Sequence, residues 1–158
     1  MLKIKIACVG RIKEKYFAEA VSEYTKRISR FAEITVKEVR EENFTAEPSP
    51  AETEKIIAAE GESLLKELKG YSICLAVEGK KLSSEKLADK LSMLKSKGNG
   101  EITFVIGGSY GVAKAVKDKC NELISFSEMT FPHTLARVML AEQIYRAFMI
   151  SSGSKYHK

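Results

Sequence analysis

The sequence predicts a single α/β domain with a mainly parallel sheet flanked by helices. Apolar strand patterns alternate along the chain with helical patterns of about 10 to 18 residues, which is the order of βαβ units. Two strand patterns, SICLAV (72–77) and ITFVI (102–106), are apolar almost throughout, as expected of strands covered on both faces of a parallel sheet. The length of 158 residues fits one domain, which we expect to span residues 1–158.

The first quarter of the chain predicts two strands around one helix. Apolar and lysine residues alternate at the N-terminus and predict a strand over residues 4–9. Apolar residues then recur at helical spacing over residues 14–30 and predict an amphipathic helix. ITVKEV (34–39) alternates again and predicts the second strand. EENFTAEPSP (41–50) is polar and contains proline, so we expect a mobile loop there.

The middle of the chain predicts one helix before the strand SICLAV and one after it. Residues 51–69 place apolar side chains at helical spacing, and Gly70 is the expected C-terminal cap. Ser83 and Ser84 are candidate N-caps for a helix that runs to about residue 97.

The last third predicts the remaining elements. The strand ITFVI leads directly into GGSYG (107–111), and a helix is expected over residues 112–123. ISFS (124–127) predicts a short strand, and residues 133–150 predict a long helix.

Composition excludes several classes of protein. Hydrophobic residues make up 44% and charged residues 30%, which is ordinary for a globular domain and unlike disordered or fibrous chains. No stretch approaches the ~20 apolar residues that a membrane helix needs. Cys8, Cys74 and Cys120 are too scattered for a disulfide framework or a metal site. We therefore expect buried thiols, no metal, no membrane contact and a cytoplasmic location.

The charge favours a polyanionic partner without requiring one. The formal net charge is +5 with a sequence pI near 9.0. Residues 1–40 hold ten Lys and Arg against five Glu, whereas residues 41–100 hold nine against eleven acidic residues. A lysine-rich solvated surface and nucleic-acid binding explain this excess equally well.

Three loops are the first places to look for a ligand, since open parallel sheets bind ligands beyond the carboxyl ends of their strands. These loops follow residues 77, 106 and 127. GGSYG matches neither the Walker phosphate loop nor the GxGxxG fingerprint. Its three glycines allow positive φ and close approach of a ligand to backbone N–H groups. A tight strand-to-helix turn with no ligand is an equal alternative.

EMTFPHT (128–134) places a proline and His133 just before the last helix. The dipole at a helix N-terminus disfavours an imidazolium, so we expect His133 to be neutral. A packed or capping histidine is the alternative to a catalytic one. His133 and His157 are the two histidines of the chain, so a catalytic histidine has few candidates.

The last helix and the tail carry further candidates. Glu142 precedes Arg146 by four residues, which favours a surface ion pair. Arg137 has no acidic residue three or four positions away, and we expect it to be free to meet an anion. The tail GSKYHK (153–158) combines lysines with an aromatic residue and a histidine, as phosphate contact and base stacking require. A frayed terminus is equally common.

The whole chain resembles a known family. ICLAVEGK, ITFVIGGSYG, SFSEMTFPHTLARVMLAEQIYRAF and a terminal YHK follow one another in the order typical of the ribosomal RNA large subunit methyltransferase H family, a small branch of the SPOUT methyltransferases. The resemblance implies a trefoil knot at the C-terminal end of the fold and a homodimer. It also implies that S-adenosylmethionine donates a methyl group to N3 of a pseudouridine in 23S rRNA on the assembled ribosome.

The resemblance also implies roles for particular residues. It places the cofactor against Leu75, Gly107, Gly108, Ser127, Glu128, Met129, Thr130, Phe131 and Pro132. The candidates for proton handling or base orientation are His133, Tyr156 and His157. Arg137 is the candidate for stabilising the developing anion or binding phosphate, and the RNA-binding candidates are Arg137, Lys155 and Lys158. Lys155 stands where relatives often have proline or alanine, which affects the expected path of the tail.

Two other functions fit the same features. One is a SPOUT enzyme that methylates another RNA base, such as one in tRNA. The other is an RNA-binding module that has kept the fold without the activity.

Overall fold

Within residues 1–43 and 46–158, which the computed structural model describes, five parallel strands alternate with five helices. The strands are β1 (Lys3–Val9), β2 (Glu33–Val39), β3 (Tyr71–Lys81), β4 (Glu101–Ile106) and β5 (Glu122–Ser125). The helices are α1 (Lys15–Ile28), α2 (Pro50–Leu65), α3 (Ser84–Ser96), α4 (Lys114–Lys119) and α5 (His133–Ser151). The sheet order is β2-β1-β4-β3-β5. The predicted α/β fold with a parallel sheet is confirmed.

The side chains of β1 alternate between two cores, one on each face of the sheet. Ile4 and Ile6 are buried in the larger core, together with apolar residues of α1, α3 and α5. Ala7 and Val9 are buried in the smaller core, with apolar residues of α2 and α4. Helices therefore cover both faces of the sheet, and strands in such a position are apolar.

The cysteines lie in these cores. Cys8 belongs to the larger core, and Cys74 and Cys120 belong to the smaller one. All three are free and buried, as predicted. Burial raises the pKa of the Cys8 thiol to about 12, so this group is protonated and unreactive at neutral pH.

The helix starts follow local capping chemistry. Ser83, one of the two predicted caps, accepts a hydrogen bond from the Lys86 N–H at 3.1 Å and precedes α3. Ser49 forms a capping box with Glu52 at the start of α2, where Pro50 is the first helical residue. Each such cap typically contributes about 1 kcal/mol to the stability of its helix.

Two predicted helices are shorter than the sequence pattern suggests. The helix predicted over residues 51–69 ends at Leu65, because the chain continues in tight turns after it. Gly70 is therefore not its C-terminal cap. The helix predicted over residues 112–123 covers only Lys114–Lys119. Cys120 has extended backbone angles, and β5 begins two residues later.

Strand β3 is longer than predicted and is only half covered. Ser72 to Cys74 are buried, but Val77 is 52% exposed. The strand pairs with β5 at Ile73–Leu75 and again at Lys80–Lys81, with a register jump between them. Residues 76–79 are therefore free of this ladder. Residues 78–81, where a loop was expected after residue 77, belong to the strand.

Two sequence predictions stay predictions. Phe44 and Thr45 of the predicted loop 41–50 lie outside the described residues. The trefoil knot implied by the resemblance stays a prediction for the C-terminal part of the sheet.

Candidate functional site

The loops beyond the carboxyl ends of the strands form one cleft of about 890 Å³. Its walls include β3 from Leu75 to Glu78, the loop after β4, and the segment from Phe126 to Ala136 that precedes and begins α5, although Glu128 and Leu135 are not part of the lining. The sequence selected the loops after residues 77, 106 and 127. The structure brings the loops after β4 and β5 together, whereas the third wall comes from within β3. The volume is in the usual range for small-molecule sites.

The glycine loop is a tight turn that also presents backbone to the cleft. A Cβ atom on Gly107 would lie 2.6 Å from Val112 Cγ2 and 2.8 Å from the Gly111 carbonyl oxygen. The Gly111 N–H donates to the Gly108 carbonyl at 3.1 Å, and Gly111 has a φ of +98°. Any side chain at residue 107 would collide with the turn, so glycine is required there by close approach.

The loop before α5 is ordered by its own serines. Ser125 Oγ donates to the Ser127 carbonyl at 2.8 Å, and Ser127 Oγ accepts from the Met129 N–H at 3.0 Å. Ser127 and Met129 line the cleft, as do Thr130, Phe131 and Pro132. Glu128 differs from its neighbours, because its exposed carboxylate pairs with Lys81 at 3.1 Å and does not line the cleft.

His133 lines the cleft as the first residue of α5 and is half-buried. Burial lowers its pKa, the nearby Arg137 charge lowers it further, and the Glu41 carboxylate opposes both effects. The neutral form was predicted, and the direction of the shift is confirmed. The main cause is burial, because the protein interior solvates a charged imidazolium less well than water does.

Arg137 is not free to meet an anion, and that prediction is wrong. Its side chain is 1% exposed, and it pairs with Glu38 of β2 at 2.7 Å. The same guanidinium donates to the carbonyls of Val9 and Gly10 at 3.1 and 3.0 Å. The sequence argument considered only acidic residues on the helix of Arg137, whereas its partner lies 99 residues away. A surface contact of Arg137 with RNA does not fit this burial.

The tail is docked on α5 and not frayed. The Tyr156 hydroxyl donates to Glu142 Oε1 at 3.3 Å. Arg146 binds the same carboxylate and contacts His157 Nδ1 at 3.1 Å, while its guanidinium lies 4.8 Å from the centre of the Tyr156 ring. His157 Nε2 also lies 2.6 Å from Glu85 Oε1 of α3. We call these five residues the tail cluster.

Burial and neighbouring groups shift the pKa values of residues in the tail cluster. Burial is the main cause that raises the pKa of Tyr156, with the Glu142 charge as the next cause. The hydrogen bond to His157 lowers the pKa of Glu85. Lys155 and Lys158 are exposed on either side of the cluster.

The structure separates the tail cluster from His133 within one chain. Glu142 follows His133 by nine residues on α5, which corresponds to about 14 Å along the helix axis. The residues of the tail cluster do not line the cleft. The two groups of candidate catalytic residues therefore cannot act on the same atom from one chain.

Sequence reasoning missed several residues of the site. Arg11 and Lys13 are exposed and line the cleft from the loop after β1. The excess of basic residues in residues 1–40 was a signal for them, although it gave no position. Glu60 lies buried behind the glycine loop, and no pattern in the sequence distinguishes it from the other acidic residues of α2.

Comparison with known proteins decides the family. The family model described as "Predicted SPOUT methyltransferase" matches residues 2–157. This chain belongs to the SPOUT methyltransferase family. A ribosomal RNA large subunit methyltransferase H of Lactobacillus acidophilus is 50% identical and the match covers 99% of this chain and 100% of the relative. The protein of that name from Streptococcus uberis is 46% identical over the same shares. The resemblance found in the sequence is confirmed.

Two solved structures share the fold of this chain. A probable methylase family protein from Haemophilus influenzae has a TM-score of 0.55 at 12% identity, over 98% of this chain and 70% of the other. A probable methyltransferase from Bordetella pertussis has a TM-score of 0.54 at 12% identity, over 92% of this chain and 96% of the other. At such low identity these likenesses concern the fold alone.

Two further observations on this SPOUT chain concern membranes and metals. No helix in the described parts is long and apolar enough to cross a membrane. Residues 1–43 and 46–158 contain no group of three or more His, Cys, Asp or Glu side chains placed to hold a metal ion.

Proposed function

We propose that this protein transfers a methyl group from S-adenosylmethionine to N3 of a pseudouridine in 23S rRNA, on the assembled ribosome in the cytoplasm. The observation that carries the proposal is full-length similarity at about half identity to proteins named ribosomal RNA large subunit methyltransferase H. The cleft supports it, because its glycine loop and its preceding strands supply a site of suitable size.

The cleft fits the cofactor by its shape and its donors. A Cβ atom at Gly107 would meet Val112 and the Gly111 carbonyl, so glycine at this position lets the turn close tightly with its backbone along the cleft. Leu75 and Phe131 offer apolar contacts, and the backbone of residues 107–108, 127 and 129–132 offers polar groups. When bound, S-adenosylmethionine would supply a methyl group activated by its sulfonium charge.

His133 has the properties of a proton acceptor for this reaction. The imide N3 of pseudouridine carries a proton and is a poor nucleophile until that proton leaves. Since its pKa is lowered, His133 is neutral at pH 7 and its ring can accept the N3 proton. The nearby Glu41 carboxylate, which raises the pKa of His133, would stabilise the imidazolium that forms.

A second copy of the chain would complete the site. Tyr156 and His157 do not reach the cleft of their own chain, whereas methyl transfer needs reacting groups within about 3 to 3.5 Å. In a homodimer the tail of one subunit can lie over the cleft of its mate, which makes both subunits necessary for one reaction. The tail cluster then presents an aromatic ring, a histidine and flanking lysines to the RNA.

We expect exposed cations, in place of the buried Arg137, to contact the RNA phosphates. Arg11 and Lys13 lie at the edge of the cleft, and Lys155 and Lys158 lie beside the tail cluster. Exposed Lys and Arg bind phosphate by releasing counterions, so such binding weakens as salt increases. A double Arg11→Ala and Lys13→Ala variant should raise the KM for ribosomes and make it less sensitive to salt.

Methyl transfer from labelled S-adenosylmethionine tests the proposed reaction. The acceptors are intact ribosomes, free 23S rRNA and tRNA, with Gly107→Val as the inactive control. We expect label at N3 of a pseudouridine in 23S rRNA from intact ribosomes. Label in tRNA would instead support the rival substrate, and a protein that binds RNA without transferring label would be the noncatalytic module.

Mixing two inactive variants tests the shared site. One variant carries Gly107→Val, and the other lacks residues 156–158. After subunit exchange at equal amounts, half of the dimers are mixed, and each mixed dimer has one intact cleft opposite one intact tail. We therefore expect about one quarter of the wild-type activity. No recovered activity, with exchange verified by native mass spectrometry, would show that cleft and tail act within one chain.

A further inference from the structure

Glu60 is a buried acid with an oxygen that lacks a partner. Its side chain lies on α2 and the residue is 3% exposed. Oε2 accepts a hydrogen bond from the Glu42 N–H at 3.2 Å. Oε1 is buried and has no hydrogen-bond partner among the described residues. Buried carboxylates usually have their oxygens satisfied, so this exception needs an explanation.

The carboxylate lies directly behind the glycine loop. A Cβ atom on Gly108 would be 2.9 Å from Glu60 Oε1, and Gly108 itself lines the cleft. No Lys, Arg or His of the described residues forms a salt bridge with Glu60. Burial raises the pKa of Glu60, and the charges of Glu41 and Glu42 raise it further. The Glu60 carboxyl group therefore lies beside the cleft without a counter-ion, and it ionises less readily than an exposed one until a positive charge compensates it.

We propose that Glu60 makes the cleft prefer a positively charged sulfonium ligand over the neutral thioether that remains after methyl transfer. This inference rests on the proposed function. S-adenosylmethionine and S-adenosylhomocysteine share their adenosine and amino-acid parts and differ in one methyl group and one positive charge. Contacts to the shared parts bind both, so a selective contribution must come from the methyl group or from the charge.

The buried position of Glu60 makes its charge effective. Water screens an exposed carboxylate strongly, whereas a buried one acts through a medium of lower dielectric constant. A cation in the cleft stabilises the uncompensated carboxylate, and the neutral product does not. The same difference would favour product release, because the attraction ends when the sulfur loses its charge.

The test measures the affinities of both ligands by isothermal titration calorimetry at pH 8. The quantity of interest is the Kd for S-adenosylhomocysteine divided by the Kd for S-adenosylmethionine. Two unit charges about 10 Å apart at an effective dielectric constant of about 20 change a binding constant roughly tenfold. We therefore expect Glu60→Gln, which keeps an acceptor for the Glu42 N–H, to lower the ratio by at least about threefold.

Two further variants separate charge from structure. Glu60→Asp keeps the charge on a shorter side chain, so both affinities can weaken while the ratio stays within about twofold of wild type. Glu62→Gln removes a charge from the exposed face of the same helix and should leave both affinities unchanged. Circular dichroism checks that each variant is folded.

The outcomes distinguish this inference from the proposed function. Equal weakening of both ligands in Glu60→Gln would overturn the inference and leave Glu60 with a structural role only. If Glu60→Gln does not fold, Glu60→Asp provides the test. Loss of the preference for S-adenosylmethionine in this variant, which keeps the charge, would overturn the inference. If the wild-type protein binds neither ligand, the proposed cofactor is wrong, and the inference is wrong with it.

Discussion

Replacement of the buried Arg137 by Met should destabilise the protein without removing a group that reacts. The guanidinium holds three elements together: it pairs with Glu38 of β2 and donates to the carbonyls of Val9 and Gly10 at the end of β1, while its own helix is α5. Met has a similar length and is apolar, so the cavity stays filled while these contacts are lost.

The expected magnitude follows from the contacts. Two carbonyl groups lose a donor in a buried place, at a cost of about 1 to 3 kcal/mol each. Glu38 is 40% exposed, so water partly replaces its partner, and this pair adds at most about 1 kcal/mol. Removal of the buried Nε, which has no partner in the described chain, offsets part of the loss. We expect a net destabilisation of about 3 kcal/mol.

Thermal unfolding followed by circular dichroism measures this effect. For a chain of this size, 3 kcal/mol corresponds to a decrease in Tm of about 10 °C. Arg137→Lys keeps the charge but loses the planar fork, so we expect an intermediate decrease. Arg146→Met, at a partly exposed position of the same helix, should have a smaller effect, because water can reach the groups that lose their partner.

One result would refute a purely structural role for Arg137. If Arg137→Met melted within about 2 °C of wild type and bound S-adenosylmethionine normally, yet transferred no methyl group, Arg137 would act on the substrate. A structural role requires the opposite pattern, in which the folded fraction of Arg137→Met at 20 °C keeps most of the activity.

Three further predictions concern the cleft and the tail. Gly107→Val should lose S-adenosylmethionine binding by calorimetry while remaining folded, since a Cβ atom there would lie 2.6 Å from Val112; unchanged affinity would contradict the placement of the cofactor. Removal of residues 156–158 should spare cofactor binding and abolish methyl transfer to ribosomes, and retained transfer would exclude a role for the tail. In an NMR titration, His133 should have a pKa below the ordinary 6.5. Because the unfolded chain then binds the proton more readily, His133 should contribute to a loss of stability as pH falls from 6.5 through its folded pKa, and His133→Gln should lessen that loss.

The strands and their order along the chain were predictable from local patterns. Alternation in β1 places Ile4 and Ile6 on one face and Ala7 on the other, and both sets are buried as the pattern indicates. The apolar run of β4 is buried on both faces. Such periodicities are properties of neighbouring residues, so the sequence alone contains them.

Element boundaries depended on packing that the sequence does not display. Residues 120–123 continue an apolar pattern that suits a helix, yet the chain leaves α4 early because Glu122 to Ser125 pair with β3. Likewise β3 extends to Lys81 because its last residues find a second register on β5. A strand partner far along the chain overrides local propensity in both places.

The candidate site was also predictable only in part. The loops around Gly107 and before His133 could be selected from the sequence, since parallel sheets bind ligands at the carboxyl ends of their strands. The roles of charged side chains could not. Arg137 differs from an exposed arginine only through Glu38, 99 residues away, and Glu60 differs from Glu62 only through its burial.

The sequence by itself determined the family, the parallel α/β fold and the two loops of the cleft that follow β4 and β5, because these depend on motifs and on short-range periodicity. The tertiary structure alone decided which charges are buried, which are paired and which face the cleft. It also separated His133 from Tyr156 and His157. The physical reason is that electrostatic energies depend on the distances between charged groups in the folded protein. Their separation along the sequence does not give these distances.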